Sequence, residues 1–302
     1  ACLGTLVMSQ VALEAGLPEG ALNIVTGLGD RAGAALANHP GINFMSFTGS
    51  PRVGTLVQQA TANHFVGCTL ELGGKSPQLV FADADLDKAL PVVVKAIIQH
   101  AGQTCSAGSR ILLQNEIYNE FMTQVSAQFS KVRVGTPDMD LDCGGVMNAK
   151  QQQLVEGFRA DAISSGIELL AEGEFAEGLD QSGFWVKPAL FGNVPRDHRL
   201  ACDEVFGPVL SAIPFEDESD AIYLANATDY GLVGSVWTKD GNRQQRVAKR
   251  MNCGQVFINN FGAGGGVELP FGGMKKSGHG REKGFVALEH FTTTKTIVHF
   301  HE

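Results

Sequence analysis

The chain has 302 residues, of which 44% are hydrophobic and 18% are charged; this excludes a disordered protein and leaves room for two domains. The net charge of −9 argues against non-specific binding to nucleic acid, and no apolar run is long enough to predict a membrane span. The six cysteines are spread singly without a Cys-x-x-Cys pair, so neither a disulfide framework nor a metal site is expected, and a reducing, cytoplasmic location is favoured.

The first part of the chain alternates between helix and strand patterns. Residues 3–15 carry apolar side chains at helical spacing, whereas later apolar runs are short and bounded by Gly and Pro. The predicted elements are a helix over 3–15, a strand over Leu22–Thr26, a helix from Asp30, a strand over Ile42–Phe47 and a helix from Pro51. This alternation is typical of parallel strands covered by helices.

The turn at Gly49-Ser50-Pro51 lies between the second of these strands and the helix that follows. Ser50 is a suitable N-cap, and Pro51 is a suitable first helical residue. The free amides and partial positive charge of a helix start would stabilise a pyrophosphate. The same residues also form an ordinary helix cap, and the pattern by itself leaves both interpretations open.

A carboxylate and a thiol then follow in two short segments. Residues 66–72 and 78–82 are predicted strands, and Glu71 stands just before the turn Gly73-Gly74. Asp85–His100 is the clearest helix despite its internal Pro91, and it leads to Cys105. Lys75, after the turn, is interpreted as structural, either at the surface or in an ion pair.

Cys105 has only small residues beside it, in the string Gly-Gln-Thr-Cys-Ser-Ala-Gly. Small neighbours let a substrate approach closely, but a nucleophilic thiol also needs a depressed pKa. A single cysteine is more often a packed apolar residue than a nucleophile. Likewise, Glu71 could be a solvated charge or a base that activates water. The residues by themselves leave these alternatives open.

Helix and strand patterns continue from about 109 to 260, and they include the string Glu204-Val205-Phe206-Gly207-Pro208. The glycine run Gly262–Gly266 follows, close to Pro270 and Phe271. The last predicted strand covers Thr292–Phe300 and could pair across a subunit boundary.

Together, the segments around Glu71, Cys105 and Glu204 resemble the aldehyde dehydrogenase superfamily over essentially the whole chain. The resemblance implies an α/β fold, with an incomplete, parallel, Rossmann-like cofactor domain over residues 1–73. It also implies an α/β catalytic domain carrying the thiol over 74–287 and an oligomerisation strand over 288–302. A homodimer or homotetramer is expected for the full-length form.

The resemblance also implies roles for individual residues. Cys105 would be the nucleophile and Glu71 the general base that activates water. The remaining implied roles are Gly49 and Ser50 at the pyrophosphate of NAD or NADP, Val53 beside the adenine, Leu72 in the cofactor site, Glu204 on the nicotinamide ribose, Phe206 beside the nicotinamide, and Phe271 in the aldehyde tunnel. The Gly262–Gly266 run lies where relatives carry bulkier residues, which implies either a roomier pocket or a flexible loop.

The implied reaction is the oxidation of a small-molecule aldehyde to a carboxylic acid through a thiohemiacetal and a thioester on Cys105. Relatives that pass the acyl group to coenzyme A generally lack a carboxylate at the position of Glu71, so hydrolysis is favoured over a CoA-acylating semialdehyde dehydrogenase. A catalytically inert fragment that keeps the fold is a further alternative.

The second oxyanion donor of the family lies upstream of this sequence, which resembles the C-terminal portion of a longer subunit. If the 302 residues were the whole molecule, exposed apolar surface, poor solubility and little activity would be expected.

Overall fold

The computed structural model describes residues 2–180, 182–262 and 266–301. The helices are α1 Cys2–Glu14, α2 Ala34–Ala37, α3 Pro51–Ala62, α4 Leu86–Ile98, α5 Tyr118–Phe129, α6 Ala149–Ser164, α7 Arg199–Cys202, α8 Glu218–Asn226, α9 Gly241–Arg250 and α10 Gly284–Glu289. The strands are β1 Phe44–Thr48, β2 Gly67–Glu71, β3 Pro77–Val80, β4 Arg110–Gln114, β5 Arg133–Val134, β6 Glu168–Glu172, β7 Glu174–Phe175, β8 Ala189–Gly192, β9 Val209–Phe215, β10 Val233–Trp237, β11 Gln255–Ile258 and β12 Gly278–His279.

The chain divides into two compact units, and the first contains the residues up to Phe47 together with Arg52–Cys68. Its predicted helices over 3–15 and after Pro51 are confirmed as α1 and α3, and the strand predicted over Ile42–Phe47 is confirmed as β1. The strand predicted over Leu22–Thr26 is wrong. Most of its residues are exposed and pair with no strand in the described chain, and an apolar run without a partner strand has no ladder of hydrogen bonds to join. This unit also exposes large apolar side chains, including Leu3 and Val25.

The second unit contains Thr48–Pro51 and the chain from Thr69 onward. Within its described residues, a seven-stranded sheet has the order β11-β10-β3-β4-β9-β8-β6. Neighbouring strands are parallel except for β6, which runs antiparallel to β8. Helices α4, α5, α6 and α8 contribute buried apolar residues to the same core as these strands. This parallel-rich α/β architecture confirms the predicted fold class and agrees with strands that are buried on both faces.

Helix α4 confirms the longest helix pattern of the sequence. Asp85 caps it by accepting a hydrogen bond from the Lys88 amide at 3.3 Å. Ala89, Val93 and Ile97 are fully buried along one face, which fixes the helix on the core. The helix continues through Pro91, because burial of this face offsets the lost backbone bond.

The C-terminal strand predicted over Thr292–Phe300 does not form within the single chain, and its pairing across a subunit boundary stays a prediction. Helix α10 ends at Glu289, and residues 292–301 form no regular element and are exposed. A strand exists only through pairing, and no neighbouring strand lies beside this segment among the described residues.

The predicted domain boundaries, 1–73, 74–287 and 288–302, stay predictions. In the Gly262–Gly266 run, residues 263–265 lie outside the described residues.

In the part of the chain that the structure describes, no helix is both long and apolar enough to cross a membrane. The same residues contain no group of three His, Cys, Asp or Glu side chains suited to a metal ion. All six cysteines carry free thiols.

Candidate active site

The loop that carries Cys105 begins with a left-handed turn. After α4 ends, His100 and Ala101 both have φ of 52°, and Gly102 has φ of 70°. This conformation costs an L-residue roughly 1 to 2 kcal/mol, so the surrounding contacts must hold it. Gln103 provides two of them: its Nε2 donates to the His100 carbonyl at 3.1 Å, and its Oε1 accepts from the Met147 amide at 2.7 Å.

The Gly73-Gly74 turn brings three predicted site residues together. A Cβ on Gly73 would collide with the Glu204 carboxylate, and a Cβ on Gly74 would collide with the Cys105 carbonyl oxygen. The Gly74 amide also donates a hydrogen bond to Glu204 Oε1 at 3.0 Å. Only glycines allow the chain that follows Glu71 to approach both partners this closely.

The segment from Glu204 to Gly207 is held from two sides. Gln151 Nε2 donates to the carbonyls of Val205 and Phe206 at 3.1 and 2.8 Å. Phe206 has φ of 53°, so this segment also contains a strained residue. From the other side, Gly102 packs so tightly that a Cβ there would collide with the Gly207 carbonyl.

Glu204 and Phe206 line one small pocket together with Gly74, Gly102 and Thr104. Burial raises the pKa of Glu204 to about 7, while the Gly74 amide and the charge of Lys75 act in the opposite direction. Both side chains are thus half-buried in a pocket wall, rather than fully exposed or packed in the core.

Glu71 is a buried carboxylate at the end of β2. It is only 2% exposed, and neither carboxylate oxygen has a hydrogen-bond partner among the described residues. Its pKa is raised to about 8, chiefly by burial and also by the charge of Glu282, while Arg281 acts in the opposite direction. A Cβ on Gly272, the residue after Phe271, would lie 2.7 Å from Glu71 Oε1. The interpretation of Glu71 as a solvated charge is wrong, and an orphaned carboxyl of this kind is suited to proton transfer.

Cys105 is partly buried. Burial raises the pKa of its thiol, and Glu204 and then Glu71 raise it further, whereas hydrogen bonds from the Ser106 and Cys105 amides lower it. The depressed pKa that a nucleophile needs is therefore absent from this arrangement, because burial and the charges of two carboxyl groups both disfavour the thiolate. The same couplings indicate that Glu71, Cys105 and Glu204 lie within electrostatic reach of one another.

The other predicted cofactor residues occupy the start of α3 and the end of β2. The Gly49 amide donates to the Glu71 carbonyl at 3.0 Å, so this turn is tied to the strand that carries the carboxyl. Ser50 precedes α3, and Val53 is the third residue of that helix. Leu72 is buried, and its amide donates to the Ser277 carbonyl at 3.0 Å. The contacts of these four residues with a cofactor stay predictions.

Sequence reasoning missed Lys75. The side chain is 1% exposed, and in the part of the chain that the structure describes its Nζ has neither a hydrogen-bond partner nor an ion pair, so neither predicted position describes it. The pKa of Lys75 is lowered to about 7, chiefly by burial and also by the charge of Arg110, while Glu204 acts in the opposite direction. The sequence also did not predict that Gln103 and Gln151 hold the loops of the site by hydrogen bonds, because bonds to residues far away in the chain leave no local pattern in the sequence.

Comparison with known proteins shows which family the chain is similar to. The profile of the aldehyde dehydrogenase family matches residues 1–297. Retinal dehydrogenase 2 of Homo sapiens is 39% identical over 297 residues, which are 98% of this chain and 57% of that protein.

Two crystal structures extend the comparison. A Burkholderia cenocepacia protein assigned to the aldehyde dehydrogenases is 60% identical, with a TM-score of 0.97 over 98% of this chain and 62% of that one. Betaine aldehyde dehydrogenase from Staphylococcus aureus, solved in complex with NAD+, is 35% identical, with a TM-score of 0.90 over 95% of this chain and 57% of that one. The chain spans less than two thirds of the length of each of these relatives. The family match over nearly all of its residues shows that the chain belongs to the aldehyde dehydrogenase family.

Proposed function

We propose that this chain carries the reacting groups of an NAD(P)-dependent aldehyde dehydrogenase that produces a carboxylic acid, with Cys105 as nucleophile and Glu71 as general base. The observation that carries the proposal is the Gly73-Gly74 turn, which packs against both Glu204 and Cys105 directly after the orphaned Glu71 carboxyl. A glycine pair, a buried base and a thiol in a strained loop agree with an active site better than with a packing role.

The residues fit a nicotinamide dinucleotide, as NAD or NADP. One oxygen of Glu204 is held by the Gly74 amide, which leaves Oε2 to accept from the ribose hydroxyls. Gly49 and Ser50, at the start of the twelve-residue helix α3, would bind the pyrophosphate. Val53, Leu72 and Phe206 would flank the adenine and nicotinamide portions. When bound, the dinucleotide supplies the acceptor for a hydride.

The thiol of Cys105 performs the first bond-forming step. Its sulfur attacks the aldehyde carbon, and the resulting thiohemiacetal oxygen accepts a hydrogen bond from the Cys105 amide. Loss of a hydride from the former aldehyde carbon then leaves a thioester on Cys105. Because burial and two carboxyl groups raise the pKa of the thiol, a base must take its proton during the attack.

Glu71 would take a proton from the water that attacks the thioester carbonyl. The carbon–sulfur bond then breaks, the carboxylic acid leaves and the thiol is restored. A base with a pKa near 8 is mostly protonated at pH 7, so hydrolysis should accelerate as the pH rises through that value. The presence of this carboxyl favours hydrolysis over acyl transfer to coenzyme A.

The proposal also includes the path of the aldehyde, the oligomeric state and the location of the protein. Phe271 would line the aldehyde path, since a Cβ on the residue after it would lie 2.7 Å from Glu71 Oε1. A homodimer or homotetramer in the cytoplasm is the expected form of the full subunit. The exposed segment 291–301 could then join a strand of a second copy, which would account for the predicted C-terminal strand.

The test measures NADH or NADPH formation from an aldehyde panel, with and without coenzyme A. In the full-length form, turnover that does not need coenzyme A is expected, and Cys105→Ala should abolish it. Cys2→Ala removes an exposed thiol on α1 and is the matched control, which should keep the parent rate. Turnover retained in Cys105→Ala would refute the assignment, and a strict requirement for coenzyme A would refute hydrolysis.

A further inference from the structure

Two basic side chains, Lys75 and Arg110, are buried close together in the second unit, at 1% and 2% exposure. Arg110 Nε donates to the Lys75 carbonyl at 2.9 Å, and its two terminal nitrogens donate to carbonyls of α8 at 2.8 and 3.1 Å. These bonds fix the main chain at Lys75, but Lys75 Nζ itself has no hydrogen-bond partner in the described chain. A buried ammonium is costly unless a negative charge compensates it.

One side of Lys75 offers no such charge. A small cavity there is lined by Lys75, Ser76, Arg110 and Tyr230 together with residues of 225–233 and 251–253, and no Asp or Glu is among the described residues that line it. The Ser76 hydroxyl beside it is also without a hydrogen-bond partner in the described chain. The acid that compensates Lys75 must therefore lie outside this cavity.

The residue before Lys75 leads directly to an acid. The Gly74 amide donates to Glu204 Oε1 at 3.0 Å, so the main chain of the turn holds the carboxyl next to the start of the Lys75 side chain. The Glu204 amide donates a hydrogen bond to the hydroxyl of Tyr230, which lines the same cavity as Lys75. Glu204 is thus held on both sides by residues that adjoin Lys75.

The charges that act on Lys75 single out the same acid. Burial and then Arg110 lower the pKa of Lys75, whereas Glu204, Asp203 and Cys202 act in the opposite direction, in this order of strength. Asp203 is exposed, so water weakens its effect, and Glu204 is half-buried. Lys75 and Glu204 form no direct ion pair in the described chain, but a charge in a protein interior also acts over longer distances than in water.

The effect is mutual at Glu204. Burial raises the pKa of this carboxyl, and the Gly74 amide and then the charge of Lys75 act in the opposite direction. Cys105 and Tyr230 also face Glu204, but the pKa of each is raised, chiefly by burial, so neither carries a charge near pH 7. Among the described residues, Lys75 is therefore the cation that favours the ionised form of Glu204.

We propose that Lys75 is a positioning residue for the dinucleotide: its buried ammonium keeps the Glu204 carboxyl ionised, so that Oε2 meets the ribose hydroxyls as a charged acceptor. The inference rests on the proposed function, because it assigns the origin of the charge on the residue proposed to bind the ribose. Lys75 itself touches neither the ribose nor the reacting atoms in this proposal.

The binding test uses calorimetry with NAD+ on the full-length form at pH 5, 7 and 9. Lys75→Met should raise the Kd about tenfold at pH 7, the effect of replacing a charged acceptor by a neutral one. The increase should shrink toward pH 5, where Glu204 is protonated in both proteins, and toward pH 9, where Lys75 has itself lost its charge. A merely structural effect of the substitution would be the same at every pH.

Two control variants accompany this measurement. Lys88→Met removes an exposed ammonium on α4 and should leave the Kd unchanged at each pH. In a Glu204→Gln protein, whose side chain cannot ionise, Lys75→Met should have no further effect on the Kd.

A second test needs no bound dinucleotide. Urea unfolding at pH 7 of the parent, Lys75→Met, Glu204→Gln and the double variant forms a cycle that isolates the interaction between the two side chains. The unfolding equilibrium constants should show a coupling of about tenfold between the two positions. The coupling does not depend on how much each single substitution changes the stability.

The outcomes separate the inference from the proposed function. Additive effects on unfolding, or a Kd increase in Lys75→Met that is the same at all three pH values, would overturn the inference and leave the proposed function standing. Coupled unfolding in a full-length parent that binds no NAD+ would support the charge assigned to Glu204 and refute the proposed function.

Discussion

Replacing Glu71 by Gln should make the protein more stable at alkaline pH, although it removes the proposed base. The pKa of this buried carboxyl is raised from 4.5 to about 8, and each tenfold change in proton affinity is worth about 1.4 kcal/mol. Holding the ionised form inside the fold therefore costs up to about 5 kcal/mol. The amide side chain of the Glu71→Gln variant carries no charge at any pH and escapes this cost.

The sign of the effect follows from proton binding. Between pH 4.5 and 8 the folded protein binds the Glu71 proton more tightly than the unfolded chain does, so the stability contributed by the neutral carboxyl is lost as the pH rises. The stability advantage of Glu71→Gln over the parent should thus grow by about 4 kcal/mol between pH 5 and pH 9. Any difference caused by the amide group itself is the same at both pH values and cancels.

Urea unfolding of both proteins at pH 5 and pH 9 measures this change directly. Other titrating groups are common to the two proteins, so the difference between them isolates position 71. A difference in the free energy of unfolding that stays constant with pH would refute the conclusion that Glu71 is buried without a partner. So would a variant that loses stability relative to the parent as the pH rises.

Two further predictions concern the loops that assemble the site. Gly73→Ala places a methyl group against the flexible Glu204 carboxylate, so the free energy of unfolding should change by less than about 1 kcal/mol. The Kd for NAD+, measured by calorimetry, should rise about tenfold. An unchanged Kd would contradict the proposed role of Glu204. His100→Gly relieves a left-handed residue and should be neutral or stabilise the protein by up to about 1 kcal/mol in urea unfolding. Gly102→Ala drives a methyl group into the Gly207 carbonyl and should destabilise the protein by more than about 2 kcal/mol. Equal effects of the two variants would contradict the described loop.

Much of the fold could be predicted because its signals are local. The apolar spacing along α4 and the short apolar runs of β1, β2 and β3 each predict their own element. The strand predicted over Leu22–Thr26 is wrong, and the one predicted over Thr292–Phe300 does not form within the single chain. An apolar run forms a strand only beside a partner strand, and the sequence does not show the partner.

The site was predictable in its residues but not in its electrostatics. Glu71, Cys105 and Glu204 stand in strings that could be recognised by resemblance. That Glu71 lacks any hydrogen-bond partner, and that Lys75 is buried, depends on elements far away in the chain. A nucleophilic role would need a depressed pKa at Cys105, which the sequence cannot show; in the structure the pKa of the thiol is raised, first by burial and then by the charges of Glu204 and Glu71.

The central claim is that Cys105 forms a thioester that Glu71 helps to hydrolyse. It is tested most directly by mass spectrometry of Glu71→Gln after mixing with an aldehyde and NAD+. The account predicts that the protein gains the mass of one acyl group on the peptide that contains Cys105, and that the parent protein clears this group faster. No acyl adduct in the variant, or an adduct on another cysteine, would contradict it.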